Sequence, residues 1–205
     1  SFGKVWGTYY GGANEDTAWS CKPDKYGSIY VAGKTSSYNN IATSGSFQQN
    51  HGGGTYDGFI VRFDTNGVRK WGTYFGGNGI DYCKSLSIVD SMIFVSGSTM
   101  SAMNIASTNS FQDILNGVSN GFLAQFDTSG VRQWGTYYGN DSTYGNQCTA
   151  DDMGVYLCGY TTGTAGIATA GAYQATNAGF KDAYLAKFTF NGTRLWATYF
   201  GGSKD

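Results

Sequence analysis

The chain reads as an all-β protein, a β-propeller built of four-stranded antiparallel blades. Three observations predict that class. The stretch Trp6-Gly7-Thr8-Tyr9-Tyr10-Gly11-Gly12 returns from Trp71, from Trp134 and from Trp196, at intervals of 65, 63 and 62 residues. Each interval holds four short apolar or aromatic runs separated by turn residues, which describes one supersecondary block that must pack on its neighbours. The composition suits short strands and tight turns, with 32 glycines against one proline and 17% aromatics. Helical periodicity is absent over any window of ~15 residues.

The first interval sets out the elements in order. Ala18 to Lys22 runs into Pro23-Asp24-Lys25-Tyr26-Gly27, a turn by composition. Ser28 to Gly33 follows as a buried strand. Lys34 to Tyr56 is a long, polar, glycine-rich loop with Ile41-Ala42-Thr43 and Phe47-Gln48 embedded in it. Gly58 to Asp64 has the apolar density of a strand covered on both faces of its sheet. Asp64-Thr65-Asn66-Gly67 then reverses the chain, glycine supplying the positive φ that a tight hairpin needs. Val68 to Phe75 is the fourth strand and carries the tryptophan. The second interval repeats this with Ile93 to Gly97 and Gly121 to Asp127, and the third with Val155 to Gly159 and Ala183 to Phe188. The expected organisation is an extra N-terminal outer strand in residues 1–12, from Phe2 to Tyr10, followed by three complete blades at 13–77, 78–140 and 141–202.

Charge and cysteine usage narrow the function classes. Thirteen basic and fourteen acidic residues give a net charge of −1 with no clustering of either sign, which argues against nucleic acid as a partner. No run approaches the ~18 apolar residues of a membrane span, so no membrane insertion is expected. No signal peptide is evident; such a segment would have been removed or would lie outside this chain. Cys21, Cys83 and Cys148 fall on the first strand of three different units, too far apart to pair, and read as small buried apolar side chains. Cys148 and Cys158 flank one hairpin and form the only pair open to a disulfide.

In this order the residues resemble the bacterial SBBP repeats, which are β-propeller repeats. The resemblance rests on Tyr10-Gly11-Gly12, Asp16 and Ala18, Asp24 to Gly27, Tyr30-Val31-Ala32-Gly33, Thr35-Ser36-Ser37, Phe47-Gln48 and Asp57 to Val61, and it recurs along the whole chain. Two departures stand out. Ile41-Ala42-Thr43, Ile105-Ala106-Ser107 and Ile167-Ala168-Thr169 replace the family's Phe-Pro-Thr, and the third unit lacks the Asp near Gly145. The segment Phe63 to Trp71 is also similar to the tryptophan-docking motif of quinoprotein-type propellers. That likeness implies that Trp6, Trp71, Trp134 and Trp196 lie against neighbouring blades, where an indole can bury a large apolar area and donate one hydrogen bond. It implies no quinone, and no cofactor or metal is expected. Propellers of this kind have about four to eight blades, so three imply further blades of a longer array, or a homo-oligomer sharing one ring.

Catalytic chemistry finds little footing. The single histidine, His51, sits in a glycine-rich loop without a counterpart in the other units and reads as solvated. Paired-carboxylate hydrolysis would rest on Asp16, Asp57, Asp81 or Asp182, while the equivalent positions of Asp57 and Asp182 suggest residues that bond backbone amides at strand starts. The turns from Asp64 and Asp127 lack the further oxygen ligands of a calcium loop. Two function readings follow. One is a non-enzymatic module, exported to the surface or surroundings of a bacterium as the resemblance implies, which binds glycan or protein. Its candidate loop residues are Tyr38, Asn39, Asn40, Gln48, Asn104, Gln112, Tyr173 and Gln174, with Phe47, Phe111 and Tyr173 also placed to pin each loop onto its blade. The alternative is a secreted hydrolase or lyase with acidic residues converging at the mouth of a central channel.

Overall fold

The computed structural model describes Gly3 and residues 5–203. Among them the chain forms strands and no helix: β1 (Asp16–Pro23), β2 (Ile29–Thr35), β3 (Asp57–Phe63), β4 (Arg69–Phe75), β5 (Asp81–Val89), β6 (Met92–Thr99), β7 (Asn120–Asp127), β8 (Arg132–Tyr138), β9 (Thr143–Asp151), β10 (Gly154–Thr161), β11 (Asp182–Phe188) and β12 (Arg194–Phe200). Among the described residues no helix is long and apolar enough to cross a membrane. The strands make three four-stranded antiparallel sheets, β1 to β4, β5 to β8 and β9 to β12, each a meander in sequence order. The three sheets do not close on one another.

Side-chain alternation explains why β3 and β7 are buried along almost their whole length, while β11 alternates buried and exposed positions. On β3, Ile60 joins a cluster shared with the second sheet, while its neighbours Phe59, Val61 and Phe63 enter a cluster on the opposite face. On β7, Phe122, Ala124 and Phe126 face the first sheet and Leu123 faces the third. Successive side chains of a strand point to opposite faces, so a sheet sandwiched between two others needs both sets apolar. The core therefore lies between sheets. The first seam packs Tyr30, Trp71 and Phe75 against Leu86, Phe122 and Phe126; the second packs Phe94, Leu123 and Tyr138 against Leu157, Tyr184 and Phe188.

The tryptophans lock these seams. The Trp71 indole Nε1 donates to the Thr128 carbonyl at 2.9 Å, and Trp134 Nε1 donates to the Phe190 carbonyl at 2.9 Å. Each ring lies on the glycine of the next sheet's last hairpin, so closely that a Cβ on Gly130 or Gly192 would meet it at 2.8 or 3.1 Å. Those glycines also sit at φ 84°, a left-handed conformation that favours glycine. Four residues after each indole, Phe75 packs on Phe122 and Phe126, and Tyr138 packs on Tyr184 and Phe188.

Two expectations need correcting here. Residues 5–12 form no strand, and Val5 and Tyr9 are exposed; Phe2 lies outside the described residues. β4, β8 and β12 each pair with the third strand of their own sheet, and the Trp6 segment has no such partner. Only its side chains dock: Trp6 Nε1 donates to the Thr65 carbonyl at 3.1 Å, and Tyr10 packs on Phe59. The cysteines are all free thiols, and Cys21 is exposed rather than buried. Cys158 stands opposite Gln147 and not Cys148, so the two thiols are offset by one register step.

Candidate functional site

The long loops between second and third strands do not float above the sheets. Each runs back along the outer strand of its own sheet. In the first sheet Thr43 N donates to the Gly72 carbonyl at 2.9 Å, and Tyr74 N donates to the Gln48 carbonyl at 3.1 Å. Ser107 with Gly135 and Tyr137 with Gln112 repeat this on β8; Thr169 with Ala197 and Tyr199 with Gln174 repeat it on β12. The free edge of every outer strand is thereby covered, which removes the unpaired backbone groups that make an edge sticky. Ile41, Ile105 and Ile167 are the fully buried plugs of these loops, which accounts for their recurrence.

Gln48, Gln112 and Gln174 act as loop locks. Oε1 of each accepts the N–H of Gly76, Gly139 or Gly201 at 3.0 Å. Nε2 of each donates both to a loop carbonyl and to the residue heading the third strand, Asp57 at 3.0 Å, Asn120 at 2.8 Å and Asp182 at 2.6 Å. An amide engaged at both ends has little left for a ligand. Asn40 and Asn104 are explained by backbone geometry. They sit at φ 62° and 68°, and Gly166 takes the equivalent place at φ 78°. Asparagine is among the few residues that tolerate this region. Their carbonyls accept from Arg69 and Arg132, as that of Gly166 accepts from Arg194.

Five of the candidates are exposed, Asn40 and Asn104 together with Tyr38, Asn39 and Tyr173. Tyr38 is 69% exposed and stacks on His51 at 4.5 Å. Asn39 accepts the Ala13 N–H through Oδ1 at 3.0 Å, tying the loop to the segment before β1. Tyr173 is 84% exposed and touches only Phe200 of its own sheet. Its counterparts do more than pin their own loops: Phe47 reaches Phe126 and the Arg132 guanidinium of the second sheet, and Phe111 reaches Phe188 and Arg194 of the third. The candidate residues are thus spread over three loops, and the structure does not gather them into one pocket.

The convergence of polar groups that sequence reasoning missed lies at the first seam. His51 is not solvated: its side chain is fully buried. The ring is held between Tyr38 and Tyr74, because the loop Gly52 to Gly54 folds so tightly onto Gly77 and Gly79 that no Cβ would fit at Gly52 or Gly54. Its Nδ1 accepts the Gly53 N–H at 3.2 Å and stands 3.7 Å from Asp57 Oδ1. Asp57, fully buried, accepts the Gly52 N–H at 2.7 Å, the amide-binding role its position suggests. Asp81, also fully buried, accepts from the hydroxyls of Thr99 and Ser101 and from the Gly77 N–H. Thr143 holds the corresponding place in the third sheet, where the Asp is missing, and contacts Thr161 instead. The repeated Gly-Gly and the paired Asp positions were the available sequence signal, but nothing in the linear order says that residues 57 and 81 meet.

Where the first strands face one another, a groove of ≈ 390 Å³ is lined by Trp19, Lys22, Lys84, Gln147 and the two thiols Cys21 and Cys148. Lys84 sits on a bulge in β5, donates to Asn146 Oδ1 at 3.1 Å, and has its pKa lowered by burial. Two lysines and no carboxylate line this groove. In comparison with known proteins, no family model matches the chain and no curated protein matches its sequence.

Proposed function

We propose that the chain is a non-enzymatic repeat module with a structural or adhesive role at the bacterial surface, its sheets being blades of an SBBP-type propeller that docks further units of the same repeat. The observation that carries this reading is the outer face of the third sheet. Trp196 is 40% and Phe200 66% exposed, whereas their counterparts Trp71 and Phe75 are buried beneath the next sheet. Between the second and third sheets, Ser107 to Phe111 and Trp134 form a cleft of ≈ 440 Å³ whose far wall is the hairpin Asn191 to Arg194. Around Thr169 to Tyr173 and Trp196 only the near wall is present, enclosing ≈ 260 Å³. An open copy of a seam that is closed elsewhere points to an occupant of the same build: a hairpin glycine with a free carbonyl for the indole, and third-strand aromatics for Phe200. On the first sheet the matching surface is already taken by Trp6 and Tyr10. Tyr38, Asn39, Asn40, Asn104 and Tyr173 are the exposed candidates that would meet a glycan or protein ligand.

Sedimentation velocity across a wide concentration range tests the docking. Self-association is expected, it is lost in Trp196→Ala, and it strengthens in Trp6→Ala, which clears the receiving surface. A chain that stays monomeric throughout, with Trp6→Ala no different, would overturn the proposal.

A further inference from the structure

Asp57, Asn120 and Asp182 head β3, β7 and β11 in equivalent positions. In each, one δ oxygen accepts from the locking glutamine and from a loop N–H. The second δ atom shows what its surroundings require. Nδ2 of Asn120 donates to the carbonyls of Asn116 and Ser119, both at 2.8 Å. The site takes a donor. In Asp57 that place belongs to Oδ1, which is buried and has no hydrogen-bond partner. A carboxylate oxygen can only accept, so an ionised Asp57 sets a negative charge where the fold offers acceptors.

The neighbouring groups add to the demand. A Cβ at Gly76 would lie 2.7 Å from both Asp57 Cγ and Asp81 Oδ2, so the two carboxyl groups flank one small space. Asp81 comes from the second sheet; burial raises its pKa, and its three hydrogen-bond donors work against that rise, so of the two carboxyl groups it is Asp81 that has the partners for an anion. His51 cannot supply the counter-charge: burial lowers its pKa, and its Nδ1 is already an acceptor for the Gly53 N–H. Tyr74, whose phenol burial pushes up to about 12, and Cys83, whose thiol burial pushes well above its usual value, face the same carboxyl groups in neutral form. Among the described residues, no lysine or arginine forms an ion pair with Asp57 or Asp81.

We propose that Asp57 carries a proton on Oδ1 in weakly acidic solution and that this proton lets the first and second sheets close over two carboxyl groups. The first seam is in this sense a pH-sensitive clasp, and the second, with Asn120 and Thr143 in the same places, is not. Deprotonation transfers one proton to solvent and leaves two anions across Gly76. The sign follows from the direction of the shift. Burial, reinforced by the Asp81 charge, raises Asp57 from 3.8 to about 7. The folded protein therefore binds this proton more tightly than the unfolded chain does. The stabilisation is fully present below the ordinary carboxyl range and is lost as pH rises toward 7, by about tenfold in the folding constant per pH unit. His51 acts oppositely, losing stability as pH falls through its ordinary range.

Carbon-detected NMR of the Asp57 carboxyl on the whole chain, titrated from pH 4 to 9, is the test, paired with urea unfolding at each pH. The Asp57 midpoint is expected near 7. The folding constant is expected to fall about fiftyfold more between pH 5 and 7 in the wild type than in Asp57→Asn. His51→Gln is expected to keep that fall. An Asp57 midpoint below pH 5, or the same pH dependence in Asp57→Asn, overturns the proposal. The wild-type titration decides alone if the variant does not fold.

Discussion

Between the first and second sheets, Trp71 lies on Gly130 and Phe75 packs on Phe122. Between the second and third, Trp134 lies on Gly192 and Tyr138 packs on Tyr184. The apolar half of the two seams is the same, down to the carbonyl that receives each indole. The polar half is not. The first seam buries Asp57, Asp81 and His51, while the second buries Asn120 and Thr143 and has no ionisable group in those positions. The difference teaches that the repeat fixes the shape of the seam through aromatics and glycine, and leaves its response to pH to be set by two side chains. The face beyond the third sheet completes the series: it has the aromatics of a seam and nothing lying on them.

Substitutions can break or sharpen that comparison. The largest effect is expected from Trp71→Ala, about 3–5 kcal/mol by urea unfolding, with Trp134→Ala close behind and Trp196→Ala under about 1 kcal/mol. Equal losses at Trp71 and Trp196 would mean that the indoles do not act through the seams. Gln112→Ala comes next, at about 1–3 kcal/mol, because it leaves the Gly139 N–H without its partner and takes one of the two donors from Asn120 Oδ1. Gln48→Ala is expected to cost a similar amount with a difference in kind. Asp57 loses a donor that favours its anion, so the cost grows from pH 5 to pH 8, whereas that of Gln112→Ala stays flat. Asn120→Asp transplants the acid into the second seam and should destabilise by about 1–3 kcal/mol at pH 8, recovering toward pH 5 as the new carboxyl takes up a proton. The smallest change is Tyr138→Phe, about 0.5–1 kcal/mol. It removes a hydroxyl bonded to the Ile167 carbonyl, which Arg194 still serves, and it reproduces the residue present at Phe75.

Much of the fold was legible because it is written locally and repeated. The spacing of Trp6, Trp71, Trp134 and Trp196 marks the units, and the apolar runs around Phe59, Phe122 and Tyr184 mark the third strands, buried on both faces in the first two sheets and on one face in the third. The glycine turns at Gly67, Gly130 and Gly192 could be placed from composition alone. What escaped depends on meetings between distant residues. The chain at Trp6 carries the motif of an outer strand and still forms none, because a strand needs a partner as well as a sequence. Gln48 and Tyr173 both read as loop polarity, yet one is engaged at both ends of its amide and the other is free, a distinction made by Gly76 and Asp57 far along the chain. Asn40 and Asn104 read only as loop polarity, and the left-handed backbone that asparagine tolerates at both positions was not foreseen. His51, alone and followed by three glycines, suggested solvent; those same glycines let the loop close over it.

The account stands most directly on the exchange of the indole N–H protons with solvent, followed by NMR in dilute solution where the third sheet has no neighbour. Trp71 and Trp134, each donating to a carbonyl of the next sheet, should exchange slowly. Trp6 should be faster, and Trp196, with no such carbonyl, should exchange at close to the rate of the half-exposed Trp19. Four repeat indoles exchanging at one common rate would contradict a structure held together by tryptophan-locked seams with one of them left open.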